Sequence, residues 1–186
     1  TISAGATTGT ASFTPSDDSI YEGNETGIVA ISGVSGGDAT ESGTQTVTLT
    51  ITENDSAPTV TLATSASSIA ENAGSSLTLT ATLSGAAHEN VTVSISTSGT
   101  GTEGTDYSTI SDITISAGDT TGTASFTPTD DSVYEENETG IVAISGVSGA
   151  DATESGSQSV TITITENESA PTVTLATSAS SIAENA

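Results

Sequence analysis

Apolar and polar positions alternate along much of the chain. Apolar residues occupy every second position of residues 77–83, 91–95 and 160–164, and threonine or serine fills the positions between them. A period of two places the apolar side chains on one face of a β-strand and the polar side chains on the other. No segment of helix length carries apolar residues at spacings of three and four. The pattern therefore predicts strands and no helices.

Clusters of Gly, Ser, Asn and Asp separate these runs, as turns between strands require. We predict seven strands, A to G, near residues 58–70, 75–83, 90–97, 107–116, 121–127, 139–145 and 158–165. Seven short strands in about 110 residues are typical of an antiparallel β-sandwich. The predicted fold class is therefore all-β.

An internal repeat sets the domain organisation. Residues 1–73 align without gaps on residues 114–186, with 64 identities in 73 positions and an offset of 113. This length is typical of one independently folding domain in a tandem array. Pro58 and Pro171 mark the joints, because proline resists continuing a strand ladder. We interpret the chain as the C-terminal half of one repeat, one complete repeat and the first strand of the next, with bounds 1–56, 57–169 and 170–186.

The composition implies that a folded chain needs bound cations. Leu, Ile, Val and Phe make up about 18% of the residues, and 24 acidic residues without a single Lys or Arg give a formal charge of −24. This combination is typical of disorder, unless bound cations cancel the charge of a β-rich module. The strand pattern favours the module. Without Lys or Arg, we expect no nucleic-acid partner, and no apolar run reaches the ~20 residues needed for membrane insertion.

Eight acidic residues of the complete repeat are expected to meet at one end of the sandwich. If strands A, C, E and G point the same way, that end holds the A–B, C–D and E–F loops and the exit of strand G. These segments contain Glu71, Asp106, Asp130, Asp131, Glu135, Glu138, Glu166 and Glu168. Gathered carboxylates repel one another, and the chain has no cationic side chain to balance them. Ca²⁺, which takes six to eight oxygen ligands in flexible geometry, is therefore the expected cofactor.

Other metals match this set less well. Mg²⁺ requires a stricter octahedron, and Zn²⁺ is disfavoured because Cys is absent and the single histidine, His88, is expected at the opposite end. The set recurs in the partial repeats at Asp17, Asp18, Glu22, Glu25, Glu53, Asp55 and Glu184. The alternative interpretation is that acidic loops only keep the module soluble. We assign that role to Asp38, Glu41, Glu89, Glu103, Asp112, Asp119, Asp151 and Glu154.

The acidic motifs resemble those of Calx-beta domains, in order and in spacing. They are Ile69-Ala-Glu71-Asn-Ala-Gly74, Gly104-Thr-Asp106-Tyr107, Asp130-Asp131-Ser-Val-Tyr-Glu135-Glu-Asn-Glu138 and Ile164-Thr-Glu166-Asn-Glu168. The resemblance implies an immunoglobulin-like sandwich that binds calcium through the eight acidic residues at the end where strand G exits. Two departures, Ser132 in place of an acidic residue and a tail that is not rich in Asp, imply fewer or weaker sites. A resemblance to cadherin repeats rests only on Glu53-Asn-Asp55-Ser-Ala-Pro58.

The position of the acidic tail indicates a mechanical function. Glu166 and Glu168 directly precede the joint at Pro171, so calcium held there would stiffen the junction with the next repeat. We therefore expect a rigid spacer in an extracellular or cell-surface adhesin or matrix fibre, with neighbouring repeats as partners. Pairing between identical chains through strands stays open.

The second hypothesis is a calcium-dependent module that senses calcium or binds a glycan or protein. An enzyme is not expected, because the sequence offers no nucleophile–base pair.

Overall fold

The computed structural model describes residues 1–184, and all of its regular elements in that range are strands. In chain order they are β1 (Ile20–Tyr21), β2 (Glu25–Ala30), β3 (Thr46–Ile51), β4 (Thr59–Thr64), β5 (Ser68–Ala70), β6 (Leu77–Leu83), β7 (Ala86–Ala87), β8 (Val91–Gly99), β9 (Ile113–Ile115), β10 (Thr121–Phe126), β11 (Glu138–Ser148), β12 (Thr153–Glu154) and β13 (Ser159–Thr165). The all-β prediction is confirmed. Within the same range, no helix could cross a membrane.

Strands β4 to β13 belong to a sandwich, and all of them except β7 form its two sheets. One sheet has the order β10-β6-β4-β12 and the other the order β5-β13-β11-β8-β9. The alternating pattern explains the packing, since Leu79, Ala81 and Leu83 of β6 are buried while the threonines between them are half-buried. Both sheets contribute to a single core, with Val142 and Ile162 from the second sheet fully buried.

Strand A of the sequence prediction is two strands in different sheets. β4 pairs antiparallel with β6, whereas β5 pairs parallel with β13. The alternating pattern missed this change, because it reports which face is buried and not which strand is the neighbour. A second parallel pair, β12 with β4, lies at one edge of the other sheet. The pairs within the two sheets are therefore antiparallel except for β5–β13 and β12–β4, and the first of these places the end of β5 beside the end of β13.

A stacked aromatic pair anchors the loops at this end of the sandwich. The rings of Tyr107 and Phe126 are fully buried, with their centroids 4.6 Å apart and their planes at 24°. Gly140 on β11 makes room for them, since a Cβ there would lie 2.7 Å from the Phe126 ring. Because Tyr107 directly follows Asp106, the pair holds the β8–β9 connection in place.

Residues 1–56 and 170–184 lie outside the sandwich. In the first segment, β2 and β3 form an antiparallel hairpin, and β1 pairs in parallel with β7 of the sandwich. The second segment contains no strand up to residue 184, and Val173 and Leu175 are fully exposed. The last two residues of the predicted segment 170–186 are outside the described part. The division into repeats stays a prediction.

Candidate metal centre

Four segments bring acidic residues to one end of the sandwich. They are the end of β5, the β8–β9 connection, the β10–β11 connection and the residues after β13. The parallel pairing of β5 with β13 positions Glu71 beside Glu166. The Glu71 amide donates a 3.0 Å hydrogen bond to the carbonyl of Thr165, the residue before Glu166. The structure thus brings together segments that lie about 100 residues apart in sequence.

The first acidic group consists of Glu71, Glu166 and Glu168, each with a carboxylate oxygen within 4.8 Å of the others. Glu71 is only 7% exposed and is the buried acidic residue of the core region. One of its oxygens accepts a 3.3 Å hydrogen bond from the Asp131 amide. We call these three residues the inner group.

The second acidic group consists of Asp106, Glu135 and Glu138, whose carboxylate oxygens also lie within 4.8 Å of one another. Asp106 is oriented by the Thr102 amide, which donates a 2.6 Å hydrogen bond to its Oδ2. The Glu135 amide donates to Glu166, so the backbone of this outer group contacts the inner group directly. A small cleft lined by members of both groups connects them.

The remaining predicted residues of the complete repeat lie near these groups. Asp130 and Asp131 belong to neither, but both are close enough to act on the Glu71 carboxyl electrostatically. Thr129 and Glu136 also line the cleft, although neither was predicted from the sequence. The position of Glu136 between two predicted ligands could have indicated this in the sequence. The partial repeat, however, has Gly23 at the matching position and thus no carboxylate there.

Several acidic residues that we assigned to solubility instead hold loops together, and Glu103 and Asp112 are two of them. Glu103 accepts a 2.7 Å hydrogen bond from the Ile110 amide and a 2.6 Å bond from the Thr97 hydroxyl. Asp112 accepts a 2.9 Å bond from the Ile95 amide. For these two, the solubility interpretation is incomplete, because the Glu103 carboxylate satisfies partly buried donors and the Asp112 carboxylate fixes the backbone of β8.

The comparisons with known proteins decide the family. The family model described as Calx-beta domain matches residues 53–168. This chain belongs to the Calx-beta domain family. Calx-beta domains are calcium-binding modules with regulatory or structural roles, so the resemblance found in the sequence is confirmed.

Solved structures of Calx domains are similar to this Calx-beta chain. The crystal structure of the apo-form Calx CBD1 domain has 17% identity and a TM-score of 0.49, covering 60% of this chain and 99% of that one. The crystal structure of CBD12 from CALX1.2 has 18% identity and a TM-score of 0.47, covering 56% of this chain and 44% of that one. This chain thus spans less than half of CBD12. No curated protein matches it.

The carboxyl groups of this Calx-beta domain are held under electrostatic stress. Burial, reinforced by neighbouring carboxylates, raises the pKa of Glu135 and of Glu138. Burial also raises the pKa of Glu71, against the opposing effect of its hydrogen bond from Asp131. The hydrogen bond between Glu168 and Glu166 raises the pKa of Glu168 to about 7. Backbone amides, first that of Glu168 and then that of Glu135, lower the pKa of Glu166 to about 2.

The donor set matches Ca²⁺. Both groups offer only carboxylate oxygens, the ligand type that hard divalent cations prefer. Among the described residues, Oε2 of Glu168 is buried and accepts no hydrogen bond, and it lies next to two other carboxylates of the inner group. A buried anionic oxygen without a donor requires a cation or a proton. The residues present are therefore suited to calcium, and binding by these particular residues stays a prediction.

The Glu166–Glu168 pair predicts how the calcium-free domain responds to pH. The folded state keeps a proton on Glu168 up to a pKa of about 7, whereas a free glutamate with a pKa of 4.5 has released it. Folding stability should therefore fall as the pH rises from 4.5 to about 7. Below 4.5, Glu166 acts in the opposite direction, because its pKa of about 2 is lowered by folding. Thermal unfolding in metal-free buffers from about pH 5 to pH 8 measures this slope.

Saturating calcium provides the control for this slope. Because a cation binds deprotonated carboxylates, the calcium-bound domain should become more stable as the pH rises through the same window. A calcium-free stability that increases with pH between about pH 5 and pH 7 would contradict a proton held on Glu168 by the folded state.

A related acidic cluster forms in residues 1–56. A cleft there is lined by the predicted residues Asp17, Asp18, Glu22, Glu25, Glu53 and Asp55. Glu53 takes the place of Glu166, since its Oε2 accepts hydrogen bonds from the amides of Glu22 and Gly23 at 2.6 and 2.8 Å. Amide donors, first that of Asp55, lower the pKa of Glu53. The last predicted residue, Glu184, is exposed and belongs to neither the acidic groups nor the two clefts, and its role stays a prediction.

Proposed function

We propose that this chain is a calcium-stabilised spacer of a long extracellular adhesin or matrix fibre. Calcium is its cofactor, held by the acidic residues at one end of each sandwich, and neighbouring repeats are its partners. Binding of the cation stiffens the junction between repeats and stabilises each sandwich. The chain then acts as a rigid, extended unit.

One observation carries this proposal. The loop that contributes Asp17, Asp18 and Glu22 to the acidic cluster of residues 1–56 also contains β1, which pairs with β7 of the following sandwich. A cation bound by this cluster therefore orders the segment that touches the next repeat. Ordering a loop before it docks removes part of the conformational entropy that docking costs.

The similarity between repeats also supports a spacer. The aligned segments are identical at 64 of 73 positions, and most of the differences are small, such as Ile20 for Val133. In a spacer, every repeat has the same mechanical task and only the total length of the array matters. The repeats are therefore expected to have similar sequences. The charge of −24 adds self-repulsion, which favours an extended array and which bound calcium reduces where carboxylates gather.

Distances between two spin labels test the proposed stiffening. Because the chain has no cysteine, Val47→Cys on β3 and Thr123→Cys on β10 give two unique, exposed labelling positions. We expect a narrow distance distribution in calcium and a distribution at least about twice as broad in EDTA, since chelation frees the loop that carries β1. Magnesium at the same concentration is the control. Equal widths in calcium and in EDTA would contradict the spacer mechanism.

A further inference from the structure

We propose that a tyrosine and an aspartate join consecutive repeats head to tail. In this joint, Tyr21 of one repeat docks into a socket at the far end of the following sandwich. We define the socket as Ala86, Ala87, His88 and Asp151. The inference deepens the proposed spacer function and rests on it only in assuming that repeats follow one another along the fibre.

Backbone and side chain of Tyr21 both contact the socket. Tyr21 lies opposite Ala87 in the parallel β1–β7 pair, and the His88 amide donates a 3.1 Å hydrogen bond to the Tyr21 carbonyl. The Tyr21 hydroxyl donates a 2.7 Å hydrogen bond to Oδ2 of Asp151. The ring packs against the hydrophobic core of the sandwich. A tyrosine suits this place because its ring buries apolar area while its hydroxyl keeps a polar partner.

The turn that carries Asp151 is held in an unusual conformation. Between β11 and β12, Ala150 and Asp151 have φ angles of 52° and 49°, in the left-handed region that non-glycine residues avoid. The Ala150 amide donates a 2.5 Å hydrogen bond to Glu89, which secures the turn. Such a conformation persists only where surrounding contacts enforce it. The turn therefore presents the Asp151 carboxylate in a fixed position for the hydroxyl.

The repeat carries both halves of this joint. At an offset of 113, Tyr134 corresponds to Tyr21 and Asp38 corresponds to Asp151. Asp38 has the same backbone conformation as Asp151, with a φ of 51°. Tyr134 is 41% exposed and its neighbour Val133 is 60% exposed, whereas Tyr21 is half-buried in the socket. The occupant that fits Val133 and Tyr134 is the socket of a following repeat, because the same segment already sits on that surface here.

A joint of this kind can connect any number of repeats in a row. The docking tyrosine and the socket lie on different surfaces of one repeat, so each contact leaves another of the same kind to be made. Tyr21 is flanked by Asp18 and Glu22 of the acidic cluster, so the docking segment and the calcium ligands form one loop. At the joint, a loop that calcium orders therefore fixes the orientation of one repeat relative to the next.

Amide hydrogen exchange in the whole chain tests the joint. The chain has a single histidine, so the His88 amide, which bonds to the Tyr21 carbonyl, is an unambiguous reporter. Tyr21→Phe and Asp151→Asn each remove the side-chain hydrogen bond, and we expect exchange at His88 to accelerate roughly fivefold. Tyr21→Ala also removes the ring, and we expect an acceleration of more than about tenfold. The equivalent changes Tyr134→Phe and Asp38→Asn are matched controls and should leave His88 unchanged.

The spin-labelled chain separates this inference from the calcium mechanism. If Tyr21→Ala broadens the distance distribution while EDTA does not, the joint stands and the calcium part of the proposed function is wrong. If Tyr21→Ala leaves both the His88 exchange rate and the distance distribution unchanged, the joint is wrong whatever calcium does. Acceleration at His88 by the controls Tyr134→Phe or Asp38→Asn would also overturn it, because these residues lie outside the socket.

Discussion

Saturating calcium should raise the midpoint of thermal unfolding by roughly 10–20 °C over its value in EDTA. One site that binds only the folded state adds about 2.7 kcal/mol at a hundredfold excess of ligand over Kd. In a domain of about 100 residues, each kcal/mol shifts the midpoint by about 4–8 °C. The effect should be large because twelve carboxylates gather without cationic side chains, six in the two acidic groups of the complete repeat and six in the cleft of the partial one.

Differential scanning calorimetry at several calcium concentrations measures this shift. The matched control is magnesium at the same ionic strength, since screening of the charge of −24 would act for either cation. A calcium-specific excess supports binding at the acidic groups. Identical unfolding midpoints in calcium and in EDTA would contradict calcium binding by this chain.

Glu71→Gln should have opposite effects with and without calcium. Because burial raises the pKa of the Glu71 carboxyl, its charged form is unfavourable in the calcium-free fold, and a neutral side chain of the same shape should stabilise that state. With calcium, the variant lacks a central ligand of the inner group. We expect the affinity of that group to fall at least tenfold, which is about 1.4 kcal/mol or more. Calcium titration by calorimetry and thermal unfolding in both conditions measure the two effects.

Asp119→Asn is the control for this change. It removes the same charge from an exposed position in the β9–β10 connection, away from the acidic groups, where the partial repeat has Ala6. We expect it to change calcium-free stability by less than about 0.5 kcal/mol and to keep the calcium affinity. If Glu71→Gln kept the full calcium-induced stabilisation, Glu71 would not be a ligand.

The family and the fold class were predictable because both depend on local order along the chain. The period of two in segments such as 77–83 requires a strand with one buried face, and β6 forms there. The spacing of Glu71, Asp106 and the Asp130–Glu138 cluster was sufficient for the family resemblance. The switch of strand A between sheets was not predictable, because Ser65, Ala66 and Ser67 are small residues like those at many strand positions in this chain.

The candidate site shows the same division. Strand parity predicted that carboxylates from four segments would share one end, and the structure places them there. Their division into an inner and an outer group depends on the β5–β13 pairing, which carries Glu71 to the side of Glu166. The low pKa of Glu166 depends on the backbone amides that donate to its carboxylate, and the high pKa of Glu168 depends on its hydrogen bond with Glu166. Neither can be obtained from residue spacing.

The sequence by itself determined the strands, the repeat of 113 residues, the excess of negative charge and the acidic motifs, because each is a property of order and composition. Only the tertiary structure decided which carboxylates are neighbours, which one is buried, and that Tyr21 docks against Asp151. The physical reason is that these are contacts between residues about 30 to 130 positions apart. Such contacts are set by sheet pairing and by turn conformation, and the alternating pattern contains neither.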